Sequence, residues 1–182
     1  MTWELIEGLD YEPILHICNT SGVINYPKSA FSMVRSGIGL YGYGNDKNID
    51  PELRPVSTLK TIISQIRSLD KGDTVGYNRA FKVEKPTCIA TLPLGHADGI
   101  NRIYGKGKAG VIINGKYAPI AGNVCMDIIM VDVTGISCEE GDEVIVFGGP
   151  QHPVKFAEAG GTISYELITG IQRRVTRLVI PE

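Results

Sequence analysis

The stretch Phe31-Ser-Met-Val-Arg-Ser-Gly-Ile-Gly-Leu-Tyr-Gly42 combines an apolar start with one arginine and three closely spaced glycines. Its first apolar residues favour a helix from about residue 28 to residue 34. Gly37 and Gly39 allow backbone N–H groups to approach a ligand closely, and N–H groups in such turns bind anions. Arg35 adds a positively charged donor. The pattern alone is also typical of an ordinary glycine-rich turn beside a surface arginine.

The residues before this stretch complete one strand–helix unit. Ile14–Cys18 is a short apolar run that predicts a buried strand, and Asn19–Gly22 has the residue types of a turn. The amphipathic stretch Trp3–Leu9 is predicted to be the end of a helix. In barrels of such units, ligands bind at the C-terminal ends of the strands, and the predicted turn and Arg35 fall at such ends. Because one unit cannot close a barrel, the first 44 residues are expected to belong to a larger domain.

A charged, proline-flanked segment at residues 45–55 predicts a domain boundary, with one domain at residues 1–50 and a second at residues 51–182. After it the pattern changes to short β-branched runs separated by glycine turns, which favours a closed β-barrel or a sandwich. Asn114-Gly115 lies between two such runs and is a strong signal for a hairpin. The last segment, Thr162–Ile171, predicts a helix with Thr162 as its N-cap. The predicted strands lie at residues 56–69, 74–77, 80–83, 87–94, 111–113, 116–118, 128–133 and 143–147.

Composition and charge argue against several classes of function. The 182 residues carry a net charge of −2, which gives no electrostatic basis for binding nucleic acid or an anionic membrane. No apolar run is long enough to span a membrane and no leader is expected, so the cytoplasm is the predicted location. The four cysteines are scattered, which predicts free, mostly buried thiols. The three histidines lack the spacing of metal ligands, so no metal site is expected.

Val34–Gly42 resembles the Val-Arg-Pro-Gly-Ile-x-Leu-Tyr-Gly signature of the pyridoxal-phosphate-dependent alanine racemases. Further motifs of that family follow in the family's order, at residues 73–81, 95–102, 122–127 and 162–166. The resemblance implies a mainly β fold, in which a C-terminal β-barrel-like domain at residues 51–182 follows the last β/α unit of an incomplete (β/α)8 barrel at residues 1–50. It also implies an isomerase that uses pyridoxal 5′-phosphate to interconvert L- and D-alanine for peptidoglycan synthesis.

The resemblance also implies which residues act on the substrate and hold the cofactor. Racemisation removes a proton from one face of the substrate's α-carbon and returns one to the other face, so it needs two acid–base groups. Tyr77 matches the family's base on one face, and Arg35 matches the residue that faces the pyridine nitrogen of the cofactor. The groups that match the phosphate site are the Thr20 hydroxyl, the N–H groups of Gly37 and Ile38, and the Tyr165 hydroxyl.

Three further positions match residues that receive the substrate. Met126 resembles the residue whose backbone contacts the substrate carboxylate, and Arg102 and Asn123 match residues that line the access corridor. Asn123 stands where the family usually has an arginine, and His96 stands where a tyrosine is usual. These departures keep open a serine racemase, or one of broad specificity, beside an alanine racemase.

The resemblance is limited to the C-terminal half of the family. The lysine that binds the cofactor covalently and serves as the second base has no match here and would lie upstream. In the family, two chains pair head-to-tail, and the matches of Tyr77 and Met126 reach into the neighbour's site. We therefore expect a homodimer, a small amino acid as substrate, and no activity from this fragment alone. A non-catalytic β domain that serves dimerisation or binding is the alternative.

Overall fold

The structure, a computed structural model, describes residues 6–44 and 50–181. The chain divides into two units, Met1–Val56 and Ser57–Glu182. Part of the predicted N-terminal helix end (residues 3–5) and part of the predicted boundary (residues 45–49) lie outside the described residues. Residues 6–8 form a turn rather than the end of a helix.

The described residues of the first unit contain one α-helix, α1 at Thr20–Asn25. The prediction of a turn at residues 19–22 is wrong, because the Asn19 side-chain oxygen accepts a hydrogen bond of 2.9 Å from the Gly22 N–H and so caps this helix. The predicted helix at residues 28–34 is also wrong. Phe31 has a φ of 46°, in the left-handed region, which interrupts a right-handed helix. The short 3-10 helices of this unit are Pro27–Ser29, Ile38–Tyr41 and Asp50–Glu52.

The predicted strand at Ile14–Cys18 does not form. The Leu15 carbonyl accepts hydrogen bonds from the Ser32 and Met33 N–H groups, and the Cys18 carbonyl accepts one of 2.9 Å from the Arg35 N–H. These bonds hold residues 15–18 beside residues 32–35 but do not alternate as the bonds of a sheet do. The segment is therefore extended without being part of a ladder.

The described part of the second unit is mainly β, which confirms the predicted fold class. Its strands form three antiparallel sheets, in the orders β1-β9-β6-β7, β2-β5-β8 and β3-β4. The strand bounds are β1 Leu59–Ile62, β2 Gln65–Leu69, β3 Thr74–Val75, β4 Phe81–Lys82, β5 Thr87–Leu92, β6 Gly110–Ile113, β7 Lys116–Pro119, β8 Ile129–Asp132 and β9 Glu143–Phe147.

The predicted single strand at residues 56–69 is wrong, because this run supplies β1 to one sheet and β2 to another. The change of partner takes place between the two strands. The Ile63 N–H donates to the Asp142 carbonyl at 3.0 Å, and the next N–H, that of Ser64, donates to the Thr91 carbonyl at 2.9 Å. The chain therefore turns a corner from one sheet to the next, which alternation of residue types alone does not reveal.

The predicted hairpin is confirmed, with β6 and β7 joined by Asn114-Gly115. Both turn residues have positive φ, 48° and 75°, as a tight turn between antiparallel strands requires. The inward side chains of the central strands build the core of this unit. Among them, Val111, Val131 and Val144 are fully buried.

Two helices follow the last strand, α2 at Pro153–Ala159 and α3 at Ser164–Gly170. Helix α2 was not predicted. The helix predicted at residues 162–171 is confirmed, but its N-cap is Ile163 rather than Thr162, whose hydroxyl donates instead to the Glu166 carboxylate. Helix α2 packs its Phe156 ring against Tyr104, with ring centroids 4.6 Å apart. None of the helices in residues 6–44 and 50–181 has the length and apolar character needed to cross a membrane.

Candidate functional site

Thr20 is the centre of a hydrogen-bonded cluster in the first unit. It opens α1 and is 8% exposed. Its Oγ1 atom accepts hydrogen bonds from the Gly37 N–H at 3.0 Å and from the Gly39 N–H at 3.3 Å. A Cβ atom on residue 39 would lie 3.0 Å from the Thr20 Cγ2 atom, so a side chain there would require Thr20 to shift. The structure thus brings Thr20 together with Gly37 and Gly39, the two glycines of the predicted anion-binding turn.

The donors left over in this cluster fit an anionic oxygen. Because Thr20 Oγ1 accepts two N–H groups, its hydroxyl proton is directed away from them and is available to donate. The Ile38 N–H makes no hydrogen bond with the described residues. One hydroxyl and one backbone N–H side by side are suited to a phosphate group. The chemistry of these donors therefore fits the phosphate of the cofactor that the sequence implies.

Arg35 lies on the segment that leads to this cluster. Its backbone is fixed to Cys18, and its Nη2 atom donates to the Ile17 carbonyl at 3.2 Å. The side chain is otherwise exposed, so the remaining N–H groups of its planar fork can donate to a ligand. An aromatic nitrogen without a proton is an acceptor that such a donor suits, because arginine stays charged.

The strand predicted at residues 74–77 ends at Val75 in β3, and Tyr77 instead begins a 3-10 turn of the second unit, Tyr77–Arg79. This turn is unusual in its backbone, since Asn78 and Arg79 have φ values of 59° and 51°. The Tyr77 side chain is 64% exposed. The Asn123 carboxamide nitrogen donates to the Tyr77 carbonyl oxygen at 3.1 Å, which ties the turn to a neighbouring loop. The phenol is therefore presented outward from an anchored backbone.

Arg102 and Asn123, the predicted corridor residues, line one cavity of about 490 Å³ beside this turn. Asn78 and Lys106 also line it, and Lys106 is a residue that sequence reasoning missed. Among the described lining residues, the two cationic side chains outnumber the single carboxylate of Asp132, which favours a ligand that carries a carboxylate.

Met126 lies on an exposed loop of the same unit and is itself 56% exposed. Its carbonyl oxygen accepts a hydrogen bond of 2.8 Å from the Ala97 N–H, and the Cys125 carbonyl accepts one of 2.9 Å from the His96 N–H. The Met126 loop is therefore fixed against the segment of residues 95–98. Tyr165 lies on α3 of this unit, with its side chain 45% exposed.

Arg174 is a further residue that sequence reasoning missed. It forms ion pairs with Asp98 at 3.0 Å and with Asp127 at 2.9 Å, and so joins two loops that are distant in sequence. Neither its neighbours nor its spacing in the sequence marks it as different from Arg173.

Tyr104 packs against Phe156 of α2, and it is 2% exposed. Burial, and to a lesser extent the negative charge of Glu166, raises the pKa of Tyr104 to about 12. The phenol is therefore neutral at physiological pH and serves packing rather than acid–base chemistry.

Comparison with known families accounts for both units. Residues 56–179 match the family model described as alanine racemase, C-terminal domain, and residues 3–45 match the model described as alanine racemase, N-terminal domain. A curated relative, alanine racemase 1 of Clostridium acetobutylicum, is 44% identical over 176 residues, which are 92% of this chain and 45% of the relative.

Solved structures give the same result. Alanine racemase from Streptomyces coelicolor has a TM-score of 0.90 at 32% identity, over 100% of this chain and 49% of that one. The Clostridium difficile alanine racemase in complex with cycloserine has a TM-score of 0.83 at 33% identity, over 95% of this chain and 47% of that one. The chain thus spans about half the length of the relatives that it matches.

Proposed function

The chain belongs to the alanine racemase family, and we propose that it supplies the C-terminal half of a pyridoxal-phosphate-dependent enzyme that interconverts L- and D-alanine. The Thr20 cluster is the observation that carries the proposal. The Thr20 cluster offers a hydroxyl and a backbone N–H to an anionic oxygen. The same chain matches the racemase C-terminal domain over residues 56–179. The relatives' names favour alanine over serine as the substrate, and an isomerase over a non-catalytic domain.

The cofactor-binding groups proposed here are the Thr20 hydroxyl, the N–H groups of Gly37 and Ile38, and the Tyr165 hydroxyl for the phosphate. Arg35 donates to the pyridine nitrogen. When bound, pyridoxal phosphate withdraws electrons from the substrate's α-carbon and so makes its proton acidic. A donor that is permanently charged leaves the pyridine nitrogen unprotonated, which moderates this withdrawal and limits side reactions.

Tyr77 acts as the acid–base group on one face of the substrate. Its exposure of 64% and its anchored carbonyl suit a side chain that moves a proton in a site completed by other residues. The second group is the lysine that the family carries in its N-terminal half. Arg102 and Asn123 line the access corridor, and the backbone at Met126 receives the substrate carboxylate.

A head-to-tail homodimer completes the proposal. Tyr77 and Met126, at 64% and 56% exposure, are open to a second chain. In such a dimer each would serve the partner's site, whereas Arg35 and the Thr20 cluster would serve their own. We place this enzyme in the cytoplasm, where it would supply D-alanine for peptidoglycan.

Reconstitution tests this function. The chain is produced together with the N-terminal half of the Clostridium acetobutylicum relative, and conversion of L-alanine to D-alanine is followed with added pyridoxal phosphate. We expect conversion from the assembled halves and none from this chain alone. Assembled halves that bind the cofactor but do not convert alanine would contradict the proposal.

A further inference from the structure

We propose that Arg174 is a positioning residue that fixes the Met126 loop and offsets the charge of Asp127 beside the substrate carboxylate. Its Nε atom lies 3.0 Å from Asp98 Oδ1, and its Nη1 atom lies 2.9 Å from Asp127 Oδ1. One guanidinium thus holds two carboxylates from different loops. The role in substrate binding rests on the proposed function, whereas the role in fixing the loop does not.

The contacts form a continuous path from Arg174 to the Met126 backbone. Asp98 accepts a hydrogen bond of 2.8 Å from the Gly95 N–H through its other carboxylate oxygen. A Cβ atom on residue 95 would lie only 2.5 Å from the Met126 carbonyl oxygen, so the two segments touch along their backbones. The adjacent Ala97 N–H donates to that same carbonyl at 2.8 Å. Displacement of Asp98 would therefore shift the backbone at Met126.

The burial of the partners decides which ion pair matters for the fold. The Asp98 side chain is 9% exposed, whereas those of Asp127 and Arg174 are 58% and 54% exposed. Among the described residues, loss of Arg174 would leave the buried Asp98 carboxylate with the neutral Gly95 N–H as its one donor. Unpaired buried charges are strongly destabilising. The exposed Asp127 pair contributes little to stability.

The Asp127 pair matters instead for the substrate. Asp127 directly follows Met126, whose backbone is the proposed site for a carboxylate. An unpaired aspartate there would repel that carboxylate, because like charges at close range disfavour binding. Arg174 removes this repulsion. The segment that carries it is itself secured, since the Gln172 N–H donates to the Asp98 carbonyl at 3.0 Å.

The first test measures the loop in this chain without substrate. Amide hydrogen exchange is followed by NMR for the His96 and Ala97 N–H groups, which donate to the Met126 loop. Arg174→Gln should speed their exchange by about tenfold or more, because these bonds then open more easily. Arg173→Gln is the matched control, since the Arg173 side chain makes no hydrogen bond or ion pair within residues 6–44 and 50–181. Equal protection in both variants would overturn the positioning role.

The second test measures kinetics in the reconstituted enzyme. Arg174→Gln should raise KM for alanine about tenfold with kcat within about threefold, the pattern of lost binding rather than lost chemistry. Adding Asp127→Asn to this variant should lower KM part of the way back to the parent value, because it removes the unpaired charge. An unchanged KM, or no recovery, would overturn the role in substrate binding. Failure of the parent enzyme to convert alanine would instead count against the proposed function, and the exchange measurement would still decide the positioning role.

Discussion

The Asn123 side chain donates a hydrogen bond of 3.1 Å to the carbonyl oxygen of Tyr77. This bond anchors a turn in which Asn78 and Arg79 both adopt positive φ, a conformation that costs free energy for residues other than glycine. Asn123 stands where the family usually has an arginine, so here an amide both lines the corridor and holds the backbone of the proposed base. The position of Tyr77 therefore depends on Asn123.

Replacing Asn123 tests this dependence. We expect Asn123→Ala to lower kcat of the reconstituted enzyme by about fivefold to tenfold, since about 1 kcal/mol of anchoring hydrogen bond is lost. Asn25→Ala is the control, because within residues 6–44 and 50–181 the Asn25 side chain donates only to Ser21 of its own helix. An Asn123→Ala variant with unchanged kcat would show that the turn is held by other contacts.

Thr20 is predicted both to stabilise the first unit and to bind the cofactor phosphate. Thr20→Val keeps the shape of the side chain but removes the acceptor of the Gly37 and Gly39 N–H groups. We expect a loss of about 1–2 kcal/mol in stability and a roughly tenfold weaker affinity for pyridoxal phosphate. Urea unfolding and a spectroscopic cofactor titration measure the two effects. Thr20→Ser retains the hydroxyl and should behave like the parent, and equal affinities for Ser and Val would rule out this phosphate contact.

Gly95 is predicted to tolerate no side chain. Gly95→Ala would place a Cβ atom within 2.7 Å of the carbonyl oxygens of both Cys125 and Met126, and backbone atoms cannot rotate away. We expect a loss of about 2 kcal/mol or more in the free energy of unfolding. Gly170→Ala, at the end of α3, meets only ordinary contact distances and should stabilise by up to about 1 kcal/mol. Thermal unfolding compares the two, and similar stabilities would contradict the close approach at residue 95.

The raised pKa of Tyr104 predicts that the folded protein loses stability at alkaline pH. Burial and Glu166 raise its pKa to about 12, above the ordinary tyrosine value of about 10 that applies in the unfolded chain. The folded state then binds the phenolic proton more tightly. Its contribution is complete below about pH 10 and is lost as pH rises towards 12. Urea midpoints between pH 8 and about pH 11.5 should therefore fall less steeply for Tyr104→Phe than for the parent. Parallel curves would contradict the raised pKa.

Local sequence rules predicted the β-rich second unit because its hairpin and most of its strands carry their own signals. Asn114-Gly115 fixes a turn whatever surrounds it. Asn19 was misjudged because its side chain suits both a turn and a helix cap, and the surrounding fold selects between them. Helix α2 had a start signal in Pro153 and a stop signal in Gly160, but seven residues are too few to show a helical period.

The site likewise contains residues that the sequence could predict and contacts that it could not. Positions such as Tyr77 and Met126 could be proposed because each lies in a motif with a fixed order of residue types. The contact of Gly39 with Thr20 joins residues 19 apart, and that of Arg174 with Asp127 joins residues 47 apart. Such pairs depend on how the chain folds back on itself, so no local sequence pattern predicts them.

Exchange of the substrate's α-proton in deuterated water tests most directly whether Tyr77 is one of two bases. The reconstituted enzyme is supplied separately with L-alanine and D-alanine, and deuterium uptake is measured by mass spectrometry. We predict that Tyr77→Phe abolishes exchange from one enantiomer and preserves it from the other, while Tyr117→Phe, an exposed tyrosine on β7, changes neither. This chain alone should show no exchange above that of free cofactor. Undiminished exchange from both enantiomers in Tyr77→Phe would show that another residue is the base.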